Sequence, residues 1–190
     1  MIPTREQAWE LLTEYNESEA LRTHAKTVEG VMRHFARLRG EDESLWGIVG
    51  LLHDLDYEKY PDEHCEKGLE IMRERGIDEV VARGCASHGH GICIDLEPVS
   101  EMEKTLYTID ELTGLIAACA IMRPSKSVMD LELKSVKKKY KTKSFAAGVS
   151  REVIEDGAAR LGVELDAVIT ETILGMREVA AEIGLLGVTE

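Results

Sequence analysis

Six side chains in this chain could hold a cation or a proton where burial would make that matter: His24, His53, Asp54, His64, His88 and Asp110. Each sits on or beside the apolar stripe of a predicted helix. The sharpest local case is Gly50-Leu51-Leu52-His53-Asp54-Leu55-Asp56-Tyr57. The run Leu45 to Leu52 before it is apolar nearly all round, as in a buried helix rather than a surface one. An imidazole and a carboxylate at the end of such a helix are costly to bury unless something pairs with them, and a divalent cation can take both. A lone histidine on an apolar face is ordinarily a core residue, so the argument rests on all six together. Four imidazoles and two carboxylates suit Fe, Mn, Zn, Co or Ni, with Mg acceptable if waters complete its shell. Structural zinc fits less well, because such sites recruit cysteines at short spacing.

The elements that must position these groups read as helices almost throughout. Thr4 to about Tyr15 is a short amphipathic helix. Asn16 with Glu19 resembles a capping box and opens a helix to about Arg39, with Leu21, Ala25, Val28, Val31, Met32, Phe35 and Leu38 on its apolar face. His24 belongs to that face, whereas His34 falls toward the polar side and reads as a surface residue. The buried helix spans about Asp42 to Asp54. Tyr60-Pro61-Asp62 starts another, to about Arg75, on which His64, Gly68 and Ile71 share a face. Asp78 to about Ser87 is again periodic and leads to His88; His90 is an alternative to it, pointing elsewhere along the helix. Ser100 and Glu103 form a capping box for a helix to about Arg123, with Asp110 beside its buried stripe. Ser150 caps a helix to about Leu161, and a last one runs from about Asp166 to Ile183. Strand signals are confined to Ile92–Ile94 and Ser127–Val136.

The bulk composition narrows the class. A length of 190 residues suits one domain, with a metal-binding core over about 18–123 and a basic, helical segment over about 124–190. A hydrophobic content of 44% builds a core, and the net charge of -13 disfavours binding to a nucleic-acid duplex or an anionic membrane. No apolar run reaches membrane-spanning length, no secretory pattern opens the chain, and the four cysteines include no C-x-x-C pair. The expectation is a cytoplasmic protein with reduced thiols, the cysteines acting as small buried hydrophobes.

Within this acidic chain, Lys134, Lys137, Lys138, Lys139, Lys141 and Lys143 form a dense basic run. Such a run is either a solvated face or a phosphate-capturing one. On the second reading Lys126, Lys134, Lys137, Lys138 and Arg151 are candidate substrate-binding residues, with Arg123 a further contributor. Lys59 and Asp56, close after Asp54, are candidates at the reaction centre, where Asp54 and Lys59 are the catalytic pair to test.

The order His24, His53-Asp54, His64, His88, Asp110, set in "LLHDLDY" and "YTIDELTGLIAACA", resembles the HD-domain superfamily of metal-dependent phosphohydrolases. The resemblance runs from about Leu21 to Ala120. The stretch "RPSKS…KSVKKKYKTKSFAAGVSRE" resembles a subgroup of small, uncharacterised members. It implies an all-α bundle with the metal site at its centre. His24, His53, Asp54 and Asp110 match the shared ligands, and His64 and His88 match the extra pair of two-metal members, with Asp54 bridging the ions. The implied activity is hydrolysis of a phosphoester, nucleotide-like, by a metal-activated water; the rival is a non-catalytic module that binds metal and nucleotide for regulation. The segment GHGICIDLE after His88 lacks the Gly-Tyr-Pro motif of the cyclic-dinucleotide branch. The implied partner is an anionic small molecule, and a homodimer is left open.

Overall fold

The computed structural model describes residues 1–187 and is built of helices. They are α1 (Arg5–Tyr15), α2 (Glu19–Arg39), α3 (Glu43–Leu52), α4 (Glu66–Glu74), α5 (Glu79–Ala86), α6 (Glu101–Ile121), α7 (Leu133–Tyr140), α8 (Arg151–Leu161) and α9 (Leu165–Glu178). Two short 3₁₀ turns, Pro61–Glu63 and Ser87–Gly89, complete the list. Among the described residues strand pairing is limited to isolated bridges, His90 with Ile94 and Ser127 with Leu186. The expected strand over Ser127–Val136 is therefore replaced by a bridge at its start and by α7 at its end. No helix of the described residues is long and apolar enough to cross a membrane.

The helix ends follow local chemistry. Thr4 and Gln7 cap α1 reciprocally, and Ser100 and Glu103 do the same for α6. Asp42 accepts from the amides of Ser44 and Leu45 at the start of α3, and the Ser150 hydroxyl accepts from Val153 at the start of α8. The start of α2 differs from expectation. Ser18, not Asn16, is its cap, accepting from the Leu21 amide. Asn16 instead terminates α1 and is buried, donating to the carbonyls of Leu12 and Leu55. Its amide was needed where two chain segments meet, which local sequence does not reveal.

One hydrophobic cluster runs from Ala8 to Leu185. Helix α3 lies at its heart, with Trp46, Ile48, Val49, Leu51 and Leu52 all buried, and packs chiefly on α2, while α6 packs on α2 and α8, and α9 on α2. Burying a leucine such as Leu51 or Leu52 contributes about 1.5–3 kcal/mol each, so the apolar run holds the following His53-Asp54 turn against the core. Two assignments on α2 are corrected. Leu38 is 55% exposed. His34 is buried, with Nδ1 2.7 Å from a Glu178 oxygen and Nε2 2.8 Å from a Glu171 oxygen. It fastens α2 to α9 rather than facing water.

Candidate metal centre

The six candidate side chains come from five separate pieces of backbone, and all of them meet. His24 projects from α2. His53 and Asp54 follow directly on α3, where the helix gives way to a tight turn. His64 lies between the Pro61–Glu63 turn and α4, not on a continuous helix with Gly68 and Ile71 as expected. His88 sits in the Ser87–Gly89 turn after α5, and Asp110 on α6. His90 takes no part; its ring lies near Tyr107.

The donors divide into two groups that share one residue. His24 Nε2 is 2.8 Å from Asp110 Oδ1 and 3.2 Å from His53 Nε2. Asp54 Oδ2 completes this group, 3.3 Å from His53 Nε2 and 3.7 Å from His24 Nε2. The other oxygen, Asp54 Oδ1, faces the second group, 3.4 Å from His64 Nε2 and 3.3 Å from His88 Nε2. Those two imidazole nitrogens are 3.2 Å apart.

Hydrogen bonds behind the cluster determine which nitrogen is free. His53 Nδ1 is 2.7 Å from the Gly50 carbonyl and His88 Nδ1 is 2.6 Å from the Cys85 carbonyl. A carbonyl can only accept, so both Nδ1 atoms carry the proton. His64 Nδ1 is held in the same way by Asp56 Oδ1 at 2.8 Å. Each neutral ring therefore presents an Nε2 lone pair to the cleft, the arrangement that orients metal ligands. With both rings neutral, His64 and His88 would oppose two lone pairs at 3.2 Å, which repel unless a proton or a cation lies between them. The residues fit a bound dication, and they fit two.

Asp56 is fully buried, and its second oxygen accepts the Gly68 amide at 2.7 Å. A Cβ at Gly68 would lie 3.2 Å from that oxygen, so the glycine lets the backbone reach the carboxylate.

Titration reflects the same crowding. Burial alone would lower the His53 imidazole, but the carboxylates of Asp54 and Asp110 raise it well above its ordinary value. Burial likewise opposes ionisation of Asp54, yet the neighbouring His53, with His88, holds it well below the carboxylate range. Asp110 is lowered in the same sense, by His53 and His24 against burial. His88 is raised, Asp54 outweighing its burial. The cluster keeps protons where a dication would displace them.

The cleft above these groups has a volume of about 350 Å³. Besides the ligands, its walls are Tyr57, Ile92, Cys93, Glu111, Val149 and Val153. Glu111 accepts the Ser150 amide at 2.9 Å and so ties the start of α8 to α6. Its carboxyl is pushed up by burial and by Asp110. No lysine or arginine is among the lining residues.

The basic candidates lie elsewhere. Lys59 donates to the Glu14 carbonyl at 2.7 Å and lies over the Tyr15 ring. Lys126 is exposed, in the turn after α6. Lys134, Lys137 and Lys138 are on α7 and line a separate surface groove, where Lys137 pairs with Asp166 at 2.6 Å. Arg123 pairs with Asp130. Arg151 is taken up by backbone: its guanidinium donates to the carbonyls of Tyr140, Thr142, Phe145, Ala146 and Val149. It staples the loop before α8, whose Val149 lines the cleft. Charge patterning showed cations but not which face carries them.

Two of the four cysteines depart from the small buried hydrophobes expected. Cys85 and Cys119 are buried as small apolar residues would be. Cys65 and Cys93, however, bring their sulfurs within 2.9 Å of each other at the edge of the second donor group. Cys93 falls to about 7, first through its contact with Cys65, while Cys65 is pushed up, through the same contact first and burial second. Adjacency of Cys65 to His64 was the one local signal.

An all-helical bundle with a central cluster of four histidines and two aspartates defines a class of metal-binding helical domain. A family model for the HD domain matches residues 21–118, a span that contains all six donors, and the chain belongs to the HD-domain family. Members of that family bind divalent metals and are generally metal-dependent hydrolases acting on small phosphoesters. No solved structure matches the chain.

Proposed function

We propose that this protein is a phosphohydrolase with two metal positions that cleaves a phosphoester of a nucleotide-like substrate. The observation that carries the reading is the division of Asp54: one oxygen faces His24 and His53, the other His64 and His88. A bridging carboxylate between two imidazole groups is what a paired-ion site needs. His24, His53 and Asp110 would hold the first ion, and His64 and His88 the second. Bound dications supply Lewis acidity, a water of lowered pKa and positive charge for the phosphoryl oxygens.

The chain's own residues do the rest. The carbonyls of Gly50 and Cys85 and the Asp56 carboxylate hold three rings in the ligating tautomer. Tyr57, Ile92, Val149 and Val153 give the organic part of the substrate an apolar wall. Since no cationic side chain lines the cleft, the ions rather than the lysines offset the substrate's charge. Lys59, Lys126 and the α7 lysines have no contact with that chemistry. A cytoplasmic setting, in which thiols stay reduced, belongs to the same reading.

The test is metal content after chelator-free purification, followed by a screen of phosphomonoesters, phosphodiesters and dinucleoside polyphosphates with Mn²⁺, Co²⁺, Mg²⁺ and Fe²⁺. Turnover that chelation abolishes and metal restores is expected. Stoichiometric metal with no turnover of any phosphoester would replace the hydrolase with a regulatory nucleotide-binding module.

A further inference from the structure

We propose that Cys65 and Cys93 complete the second metal position with His64 and His88, making it a soft-metal site that selects a thiophilic dication such as Zn²⁺ over Mg²⁺ or Mn²⁺. This rests on the two-position reading above, in which Asp54 Oδ1 also faces this position, and adds two sulfur donors to it. Three donor atoms already cluster within 4.8 Å of one another, His64 Nε2, His88 Nε2 and Cys65 Sγ, and Cys93 Sγ adjoins them through Cys65. The two Nε2 atoms are 3.2 Å apart, Cys65 Sγ lies 3.9 Å from His88 Nε2, and the two sulfurs are 2.9 Å apart. Around a four-coordinate ion, nitrogens bound at about 2.0–2.1 Å stand about 3.3 Å apart and sulfurs bound at about 2.3 Å stand about 3.8 Å apart; the imidazole pair is already at its distance, and the two sulfurs would part by about 0.9 Å on binding.

Local structure is bent toward this meeting. Cys65 adopts φ 69° and ψ -48°, a positive-φ conformation rare for a side chain with a Cβ, at the entrance to α4. Such strain is kept where the surrounding structure has a use for it. Its thiol is buried against His88 and stands outside the main hydrophobic cluster. On the opposing side Gly89 lacks a Cβ that would collide with both sulfurs. Cys93 closes the group from the loop that follows His88 and lines the cleft, so an ion can enter. Two thiols and two imidazoles form the donor set that favours zinc and ferrous iron over hard, oxygen-preferring cations. On binding, each thiol gives its proton to solvent and each sulfur gives an electron pair to the metal; no oxidant is required.

Co²⁺ serves as the probe, added under anaerobic conditions with a phosphine reductant. The parent with two Co²⁺ bound should show a thiolate-to-cobalt charge-transfer band, and Cys65→Ser/Cys93→Ser should lose it. The same double variant should bind its second Zn²⁺ about tenfold or more weakly, in the range seen when a ligand sphere is disturbed, while its Mn²⁺ affinity stays within about twofold. Cys93→Ser alone carries the test if the buried Cys65 cannot be changed without unfolding, because Cys93 is only partly buried. A parent that binds two Co²⁺ without the band overturns the proposal. So does unchanged Zn²⁺ affinity in Cys93→Ser, or a native mass showing Cys65 and Cys93 joined as a disulfide in metal-replete protein. Phosphoester turnover of the Mn²⁺-loaded parent reports separately on the hydrolase reading, which can stand while this one falls.

Discussion

Changing Asp56 to Asn removes one oxygen from a carboxylate that touches no candidate metal position and should nevertheless weaken one. The carboxylate has two donors to satisfy, His64 Nδ1 at 2.8 Å and the Gly68 amide at 2.7 Å, and it is fully buried. Asparagine keeps the shape but has one oxygen for those two donors. If that oxygen stays on Gly68, the amide NH₂ faces His64 Nδ1, and the ring must move its proton to Nε2, which abolishes its lone pair toward the cleft. If the oxygen stays on His64, the NH₂ opposes the Gly68 amide, a buried mismatch of about 1–3 kcal/mol. Loss of such an outer hydrogen bond generally costs about 10–100-fold in metal affinity, equivalent to about 1.4–2.7 kcal/mol. Competitive titration against a chromophoric chelator should therefore show the first ion bound as in the parent and the second weakened by that factor. Two ions bound with parental affinity in Asp56→Asn would refute the role given to the Asp56–His64 bond.

Other perturbations separate the parts. His53→Ala and Asp54→Ala should each strip metal and abolish activity; stoichiometric metal in both would end the assignment, as measured by elemental analysis. His64→Ala with His88→Ala should leave about one ion per chain, and a parent that saturates at one ion would contradict the paired site. Lys134, Lys137 and Lys138 changed together to Gln should alter kcat/KM by less than about twofold across ionic strengths, because exposed charges contribute roughly 0–1 kcal/mol each; a marked loss at low salt would bring α7 back to the substrate. In chelator-treated protein His53 is raised well above 6.5, so the stability it contributes is complete below the unfolded value and lost as pH rises through the folded one. The urea midpoint of metal-free protein should fall on the alkaline side, and that of metal-loaded protein should not; a metal-free midpoint that climbs from pH 6.5 to 9 would show the carboxylates are not holding that proton.

The helices and the six converging side chains were legible in the sequence because the signals are local. A capping box such as Ser100 with Glu103 is written within one turn, and an apolar stripe within a few. His24, His53, Asp54, His88 and Asp110 each sit at a position whose burial follows from its own neighbours. His64 joins the cluster from a different backbone than its spacing implies, since the break at Cys65 needs a conformation that no residue type there announces. What tertiary structure alone decided depends on partners far along the chain. His34 reads as polar-side until Glu171 and Glu178, 137 and 144 residues away, close over it. The lysines of α7 and the guanidinium of Arg151 have the right charge for phosphate, yet packing turns the first to another surface and spends the second on five carbonyls. Cys93 reaches Cys65 across 28 positions, and a thiol's neighbours, unlike a helix cap or a hydrophobic stripe, have no periodicity by which a sequence could display them.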